Sequence, residues 1–192
     1  MKTLSINYIP LGLFAFSITS ILVNLHGLGL FPLNALVLSM ALIFGSGTQL
    51  FVGLVEYKQG NNFAGITFSA YGLYWLSYVG ILLFPLLDIA LTPPAALIGF
   101  YFLLWAVFTS MMSIIARRIS LMDFFIFCTL ALLYFLLTLH QFLPLASINI
   151  LASLTGIICG GSAFYLAIAK IFQQELGQSF LPMGIVSSPK NE

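Results

Sequence analysis

The chain is 192 residues long, 61% hydrophobic and only 6% charged. A soluble domain carries about 25% charged residues, so a water-soluble globule is excluded, and disorder, which needs low hydrophobicity and high charge, is excluded with it. A net charge of +1 leaves no basic footprint for nucleic acid, and 19 Phe, 8 Tyr and 2 Trp suit lipid-facing and interfacial surfaces.

A helix that crosses the hydrocarbon core needs roughly 20 mostly apolar residues. Apolar runs and their breaks predict six such spans, at about 10–26, 34–55, 66–86, 94–116, 124–142 and 145–170. The connections are short and hold the polar and turn residues. Pro94 and Pro144 stand where helices begin, where a missing N–H costs nothing. The prediction is a single all-α integral membrane domain over 1–192, with six transmembrane helices and a C-terminal tail over 171–192. The last residues of the tail are expected to fray. No small-residue cleavage site follows the first run, so that span is expected to be retained.

Charge supports the count. In a six-span topology Lys2, Lys58, Arg117, Arg118, Lys170 and Lys190 all fall on one side, and His26, Asp88 and His140 on the other. The excess of Lys and Arg places both termini in the cytoplasm of a cell bounded by the plasma membrane, the inner membrane in a bacterium. Cys128 and Cys159 lie in different spans with no CxxC and no nearby His, so they read as packing thiols, and no metal or cofactor is expected. Gly45-Ser46-Gly47, Gly156-x-x-x-Gly160 and Ala95-x-x-x-Gly99 are candidates for close helix approach. Six short spans leave much helix surface to cover, so association into an oligomer is expected.

No HExxH, GxSxG or phosphate-cradling glycine loop is present, so no enzyme is expected. No Lys or Arg falls deep in a span. A permeating anion would have to be met by hydrogen-bond donors or positive helix ends, or be protonated. Mid-span polar candidates are Thr19, Ser20 and Asn24, then Ser46, Thr48 and Gln49, then Thr67, Ser69, Tyr71 and Tyr74, and later Thr109, Thr129 and Ser162. For the hydroxyls the plain alternative is a bond to their own helix carbonyls. The amides of Asn24 and Gln49 need an interhelical partner or a wet pathway. Glu56 is either a solvated cap near the headgroups or a proton-handling residue. The two His read as interfacial residues, too sparse for a ligand cluster.

These residues form a series. Asn7-Tyr8-Ile9-Pro10-Leu11-Gly12-Leu13 resembles the N-P-x-P-L-G-L signature of the acetate uptake transporter family, which includes bacterial succinate–acetate/proton symporters. The likeness continues through ILVNLH at 21–26, QLFVGLVEYKQGN at 49–61, SAYGLYW at 69–75, LWAVFT at 104–109, ICGGSAFYLA at 158–167 and LPMG at 181–184. Tyr8-Ile9 departs from the family's Pro and small residue.

The resemblance implies a six-helix protomer with its own narrow central pathway, assembled as a hexamer. It implies uptake of small monocarboxylates, mainly acetate and in bacterial members succinate, coupled to protons and without a cofactor. The family's hydrophobic Phe–Tyr–Leu constriction carries over to Phe16, Tyr71 and Leu130. Asn7 would stand at the entry to the first helix. Asn24, Gln49 and Glu56 match polar positions of the family, and with Thr19, Tyr74 and Ala163 they make up the candidate pathway, Glu56 being the candidate for the proton. The alternatives are a passive channel for small anions on the same scaffold and a non-transporting membrane sensor or assembly protein.

Overall fold

The computed structural model describes residues 7–178 and 180–186. Among them six helices are long and apolar enough to cross a membrane: α1 Ile9–Gly27, α2 Ala35–Lys58, α3 Asn62–Leu86, α4 Ala95–Ala116, α5 Leu121–Phe142 and α6 Ala146–Leu176. The all-helical class and the six spans agree with the sequence reading. Lys2, Lys190 and the frayed end expected at 187–192 lie outside the described residues.

Two helices start earlier than hydropathy suggests, because a side chain caps them inside a polar connection. Asn61 accepts from the Ala64 N–H at 3.3 Å and opens α3. Ser120 Oγ accepts from the Asp123 N–H at 2.9 Å and donates to Asp123 Oδ2 at 2.6 Å, opening α5. Each satisfies an amide that the first turn otherwise leaves without a helical partner. Ser120→Ala is expected to cost about 1 kcal/mol of stability, in line with other lost N-caps; a thermal melt in detergent reads it.

The far end of the chain also differs. α6 runs on past Lys170 to Leu176 and stops at Gly177, whose φ of +67° favours glycine. The tail then folds back over α5. Leu121 N–H donates to the Gly184 carbonyl at 2.9 Å and Met122 N–H to that of Met183 at 3.3 Å. Tyr165 Oη donates to the Pro182 carbonyl at 3.0 Å, and Met183 is buried. The LPMG stretch is therefore a cap on a helix start.

The helices close into a ring. α1 lies between α2 and α6, α2 packs on α3, and α6 on α5, which packs on α4. Side chains close the ring between α3 and α4, where Tyr71 Oη meets Thr109 Oγ1 at 2.8 Å and Ser77 Oγ meets Tyr101 Oη at 2.8 Å. Small residues set the close approaches. A Cβ on Gly156 would strike the Asn24 amide, and one on Gly160 would stand 2.8 Å from Ile21 Cγ1, so this pair forms the seam of α6 on α1. Gly99 packs on Phe142, whereas Gly161 faces open space. The middle of α2, Ala41–Thr48, is a wide π-helical stretch. Thr19 Oγ1 donates to the Met40 carbonyl at its start, at 3.2 Å.

Candidate functional site

The ring encloses two cavities that meet end to end. The inner one, about 320 Å³, lies at the end that carries Lys58, Arg117 and Arg118, hereafter the basic end. Its walls come from Leu13 and Phe16 of α1, Gln49 of α2, Thr67, Phe68 and Tyr71 of α3, Asp123, Ile126, Phe127 and Leu130 of α5, and Lys170 of α6. The outer one, about 410 Å³, lies at the histidine end, between Asn24, His26, Tyr74, Tyr134, His140 and Asn149 among others. Among the described residues only Phe16 and Leu130 line both.

Helical phase explains this placement. Ile9, Leu13, Phe16, Ser20 and Asn24 recur at three- and four-residue steps down one face of α1. Phe16 and Leu130 are both buried. Tyr71 lines the inner cavity beside them, its ring centroid 6.4 Å from that of Phe16. Thr109 Oγ1 donates to the Trp105 carbonyl at 2.7 Å, so the Tyr71 hydroxyl is the donor in the bond between them. The three residues of the expected constriction thus stand together where the two cavities meet.

The other candidates divide. Gln49 borders the inner cavity; its Nε2 donates to the Gly45 carbonyl at 2.8 Å, and its Oε1 has no partner among the described residues. Asn24 borders the outer cavity, with Nδ2 donating to the Ser20 carbonyl at 2.8 Å. Both amides bond back to their own helix and keep one face toward a cavity. Tyr74 lines the outer cavity within a cluster of Trp75, Tyr78, Tyr101, Trp105 and Tyr134, at centroid distances from 5.1 to 5.9 Å.

Asn7, Thr19, Ala163 and Glu56 line neither cavity. Asn7 is exposed and accepts from the Ile9 N–H at 3.0 Å, an entry-turn role. Thr19 and Ala163 are packing positions without exposure. Glu56 is buried, not solvated among headgroups, and its Oε2 accepts from Asn61 Nδ2 at 2.7 Å. Asn61 itself lines the inner cavity, so Glu56 reaches the pathway only through it. Thr109, Thr129 and Ser162 bond back to carbonyls of their own helices. Thr67 Oγ1, on the inner cavity wall, has no partner among the described residues.

Two arrangements escaped the sequence reading. His26 and His140, 114 positions apart, share the outer cavity. The expectation of a pathway free of fixed cations also needs correction, because Lys170 lines the inner cavity. The helix does not end at the first cation. It continues in phase, and Lys170 stays on the inward face. Between the cavities themselves no cation is found among the described residues, and the only polar atom of the ring is the Tyr71 hydroxyl, already committed to Thr109.

Comparison with known proteins agrees with the six-helix fold. The GPR1/FUN34/yaaH family matches residues 2–187. The chain is 40% identical over 178 residues to the succinate-acetate/proton symporter SatP of Escherichia coli (strain K12), covering 93% of this chain and 95% of that protein. It is 29% identical to ammonia transport outward protein 2 of Saccharomyces cerevisiae, over 97% of this chain and 68% of that one. Among solved structures, that of the bacterial acetate channel SatP superposes with a TM-score of 0.91 at 40% identity, over 93% of this chain and 99% of that chain. These relatives are transporters and channels, not enzymes.

Proposed function

The chain belongs to the GPR1/FUN34/yaaH family, and from that premise we propose that this multi-pass membrane protein carries small carboxylates, the monocarboxylate acetate foremost and the dicarboxylate succinate second, each in company with protons. The observation that carries the reading is the pair of cavities shared only by Phe16 and Leu130. An ionised carboxylate is costly to bring through an apolar ring without hydrogen-bond partners, and far less so once protonated. A ring of this kind dewets and blocks free ions. A cytoplasm-negative potential further opposes an entering anion by about 2.3 kcal/mol per 100 mV, a cost that one accompanying proton cancels.

In this reading the acid rests against Asn24 in the outer cavity, crosses at Phe16, Tyr71 and Leu130, and is met by Gln49 in the inner one. Asn7 shapes the mouth at the start of α1. Thr19 and Ala163 hold the surrounding helices, and Tyr74 walls the outer cavity. Glu56, through Asn61, is the group that handles the proton at the basic end. The basic end faces the cytoplasm, both termini lie there, and six protomers assemble in the plasma membrane with one pathway each.

The solved relative, a bacterial acetate channel, favours a second reading, passive conduction on the same scaffold. Labelled acetate uptake by the purified chain in proteoliposomes decides between them. An inward proton gradient is expected to drive accumulation above the external concentration. Flux that is linear in acetate and indifferent to the gradient would establish the channel, and no flux would refute both.

A further inference from the structure

The reading above leaves one charge in the pathway without a task. Lys170 stands seven residues after Ala163, four after Leu166 and three after Ala167, all without exposure, so it continues the inward face of α6. Its side chain is half-buried in the wall of the inner cavity, which Asn61 and Asp123 also line. It makes no ion pair with any described residue.

The other described cations of the basic end do not share this position. Lys58, Arg117 and Arg118 line neither cavity, and Arg117 lies 5.8 Å from the centre of the Phe124 ring. Asp123, the acid on the same wall, is bound into the start of α5 by Ser120. Most of the remaining wall is apolar: Leu13, Phe16, Phe68, Phe127 and Leu130. A cation held partly out of water with no fixed partner is expensive. An ammonium offers three donors and no acceptor. The chemistry that answers it is a carboxylate that comes and goes.

We infer that Lys170 is the docking residue for the ionised form of the carboxylate cargo in the inner cavity. The cargo meets the ring as an acid and passes its proton to water at the basic end, the side where a fixed cation waits. Asp123, a carboxylate in the same cavity, repels the anion and is not itself a ligand. Among the described residues the outer cavity holds no Lys or Arg, so docking is one-sided. This inference rests on the proposed carriage of monocarboxylates, and two separate readouts test it.

The first readout is flux. Half-saturating acetate is measured for entry from each face of proteoliposomes of known protein orientation. Lys170→Gln is expected to raise it roughly tenfold on the basic face, as expected for loss of a charge-assisted hydrogen bond. The opposite face stays unchanged, and Lys170→Arg retains the wild-type value. An unchanged basic face, an equal rise on both faces, or Lys170→Arg behaving like Lys170→Gln would each overturn the inference. If Lys170→Gln fails to elute as the wild type does, Lys170→Met takes its place.

The second readout needs no transport. Acetate, compared with chloride at the same concentration, is expected to protect Lys170 from an amine-acylating reagent, read by peptide mass spectrometry, while Lys58 is acylated equally in both. Protection in a protein that shows no flux would refute the transport reading and leave the docking site standing. Flux without protection would refute the docking site.

Discussion

Leu130→Ala is expected to join the two cavities and to raise uptake of bulkier three-carbon acids, lactate among them, about tenfold relative to acetate, equivalent to about 1.4 kcal/mol of barrier. Leu130 is one of only two residues that line both cavities, and it contributes bulk without a polar atom. Shortening it widens the passage and leaves Phe16 and the Tyr71–Thr109 bond in place. Leu→Ala changes in cores cost about 2–5 kcal/mol. Here the side chain already borders open space on both sides, so a cost near the lower end is expected. Competition between labelled acetate and unlabelled lactate measures the effect. Unaltered selectivity in a folded variant would remove Leu130 from the constriction.

The largest structural effect is expected at Gly53. A Cβ there would meet the Ser69 hydroxyl and stand 2.6 Å from the Ser69 backbone nitrogen and 3.1 Å from the Gly65 carbonyl. These are backbone atoms of α3, so no rotamer change relieves the clash, and α2 must move away. Gly53→Val is expected to cost about 3 kcal/mol, the upper end for overpacking, and to lower the melting midpoint by roughly 10 °C. A neighbour on open space gives the control: Gly161 has no atom within 4 Å of its added Cβ, and Gly161→Ala is expected to melt with the wild type.

The six spans were legible because hydropathy and Lys/Arg placement act on the scale of whole helices. Contacts between helices were legible only in part. Gly156 and Gly160 announced a seam by their spacing, whereas Gly53 sits among Phe51, Val52, Leu54 and Val55 and carries no such mark. The starts of α3 and α5 lay in polar connections, where the caps Asn61 and Ser120 decide the boundary. Lys170 reads as a span end and not as a pathway residue because a hydropathy sum stops at a charge, although the phase set by Ala163, Leu166 and Ala167 continues through it. Glu56 stays open between a solvated cap and a proton-handling residue in the sequence, because the partner of its carboxylate, Asn61, lies beyond the end of its helix. His26 and His140 share a cavity only through the packing of α1 against its neighbours, which no local pattern reports.

The central claim is that the cargo crosses the ring of Phe16, Tyr71 and Leu130 with its charge cancelled. The most direct measurement is the dependence of acetate uptake on an imposed membrane potential, with pH equal on both sides of the proteoliposome. Neutral cargo predicts that a potassium diffusion potential of about 100 mV, negative inside, leaves both rate and final accumulation unchanged. Passage of the bare anion predicts an accumulation ratio lower by about fifty-fold, the equivalent of about 2.3 kcal/mol, and that result would contradict the account.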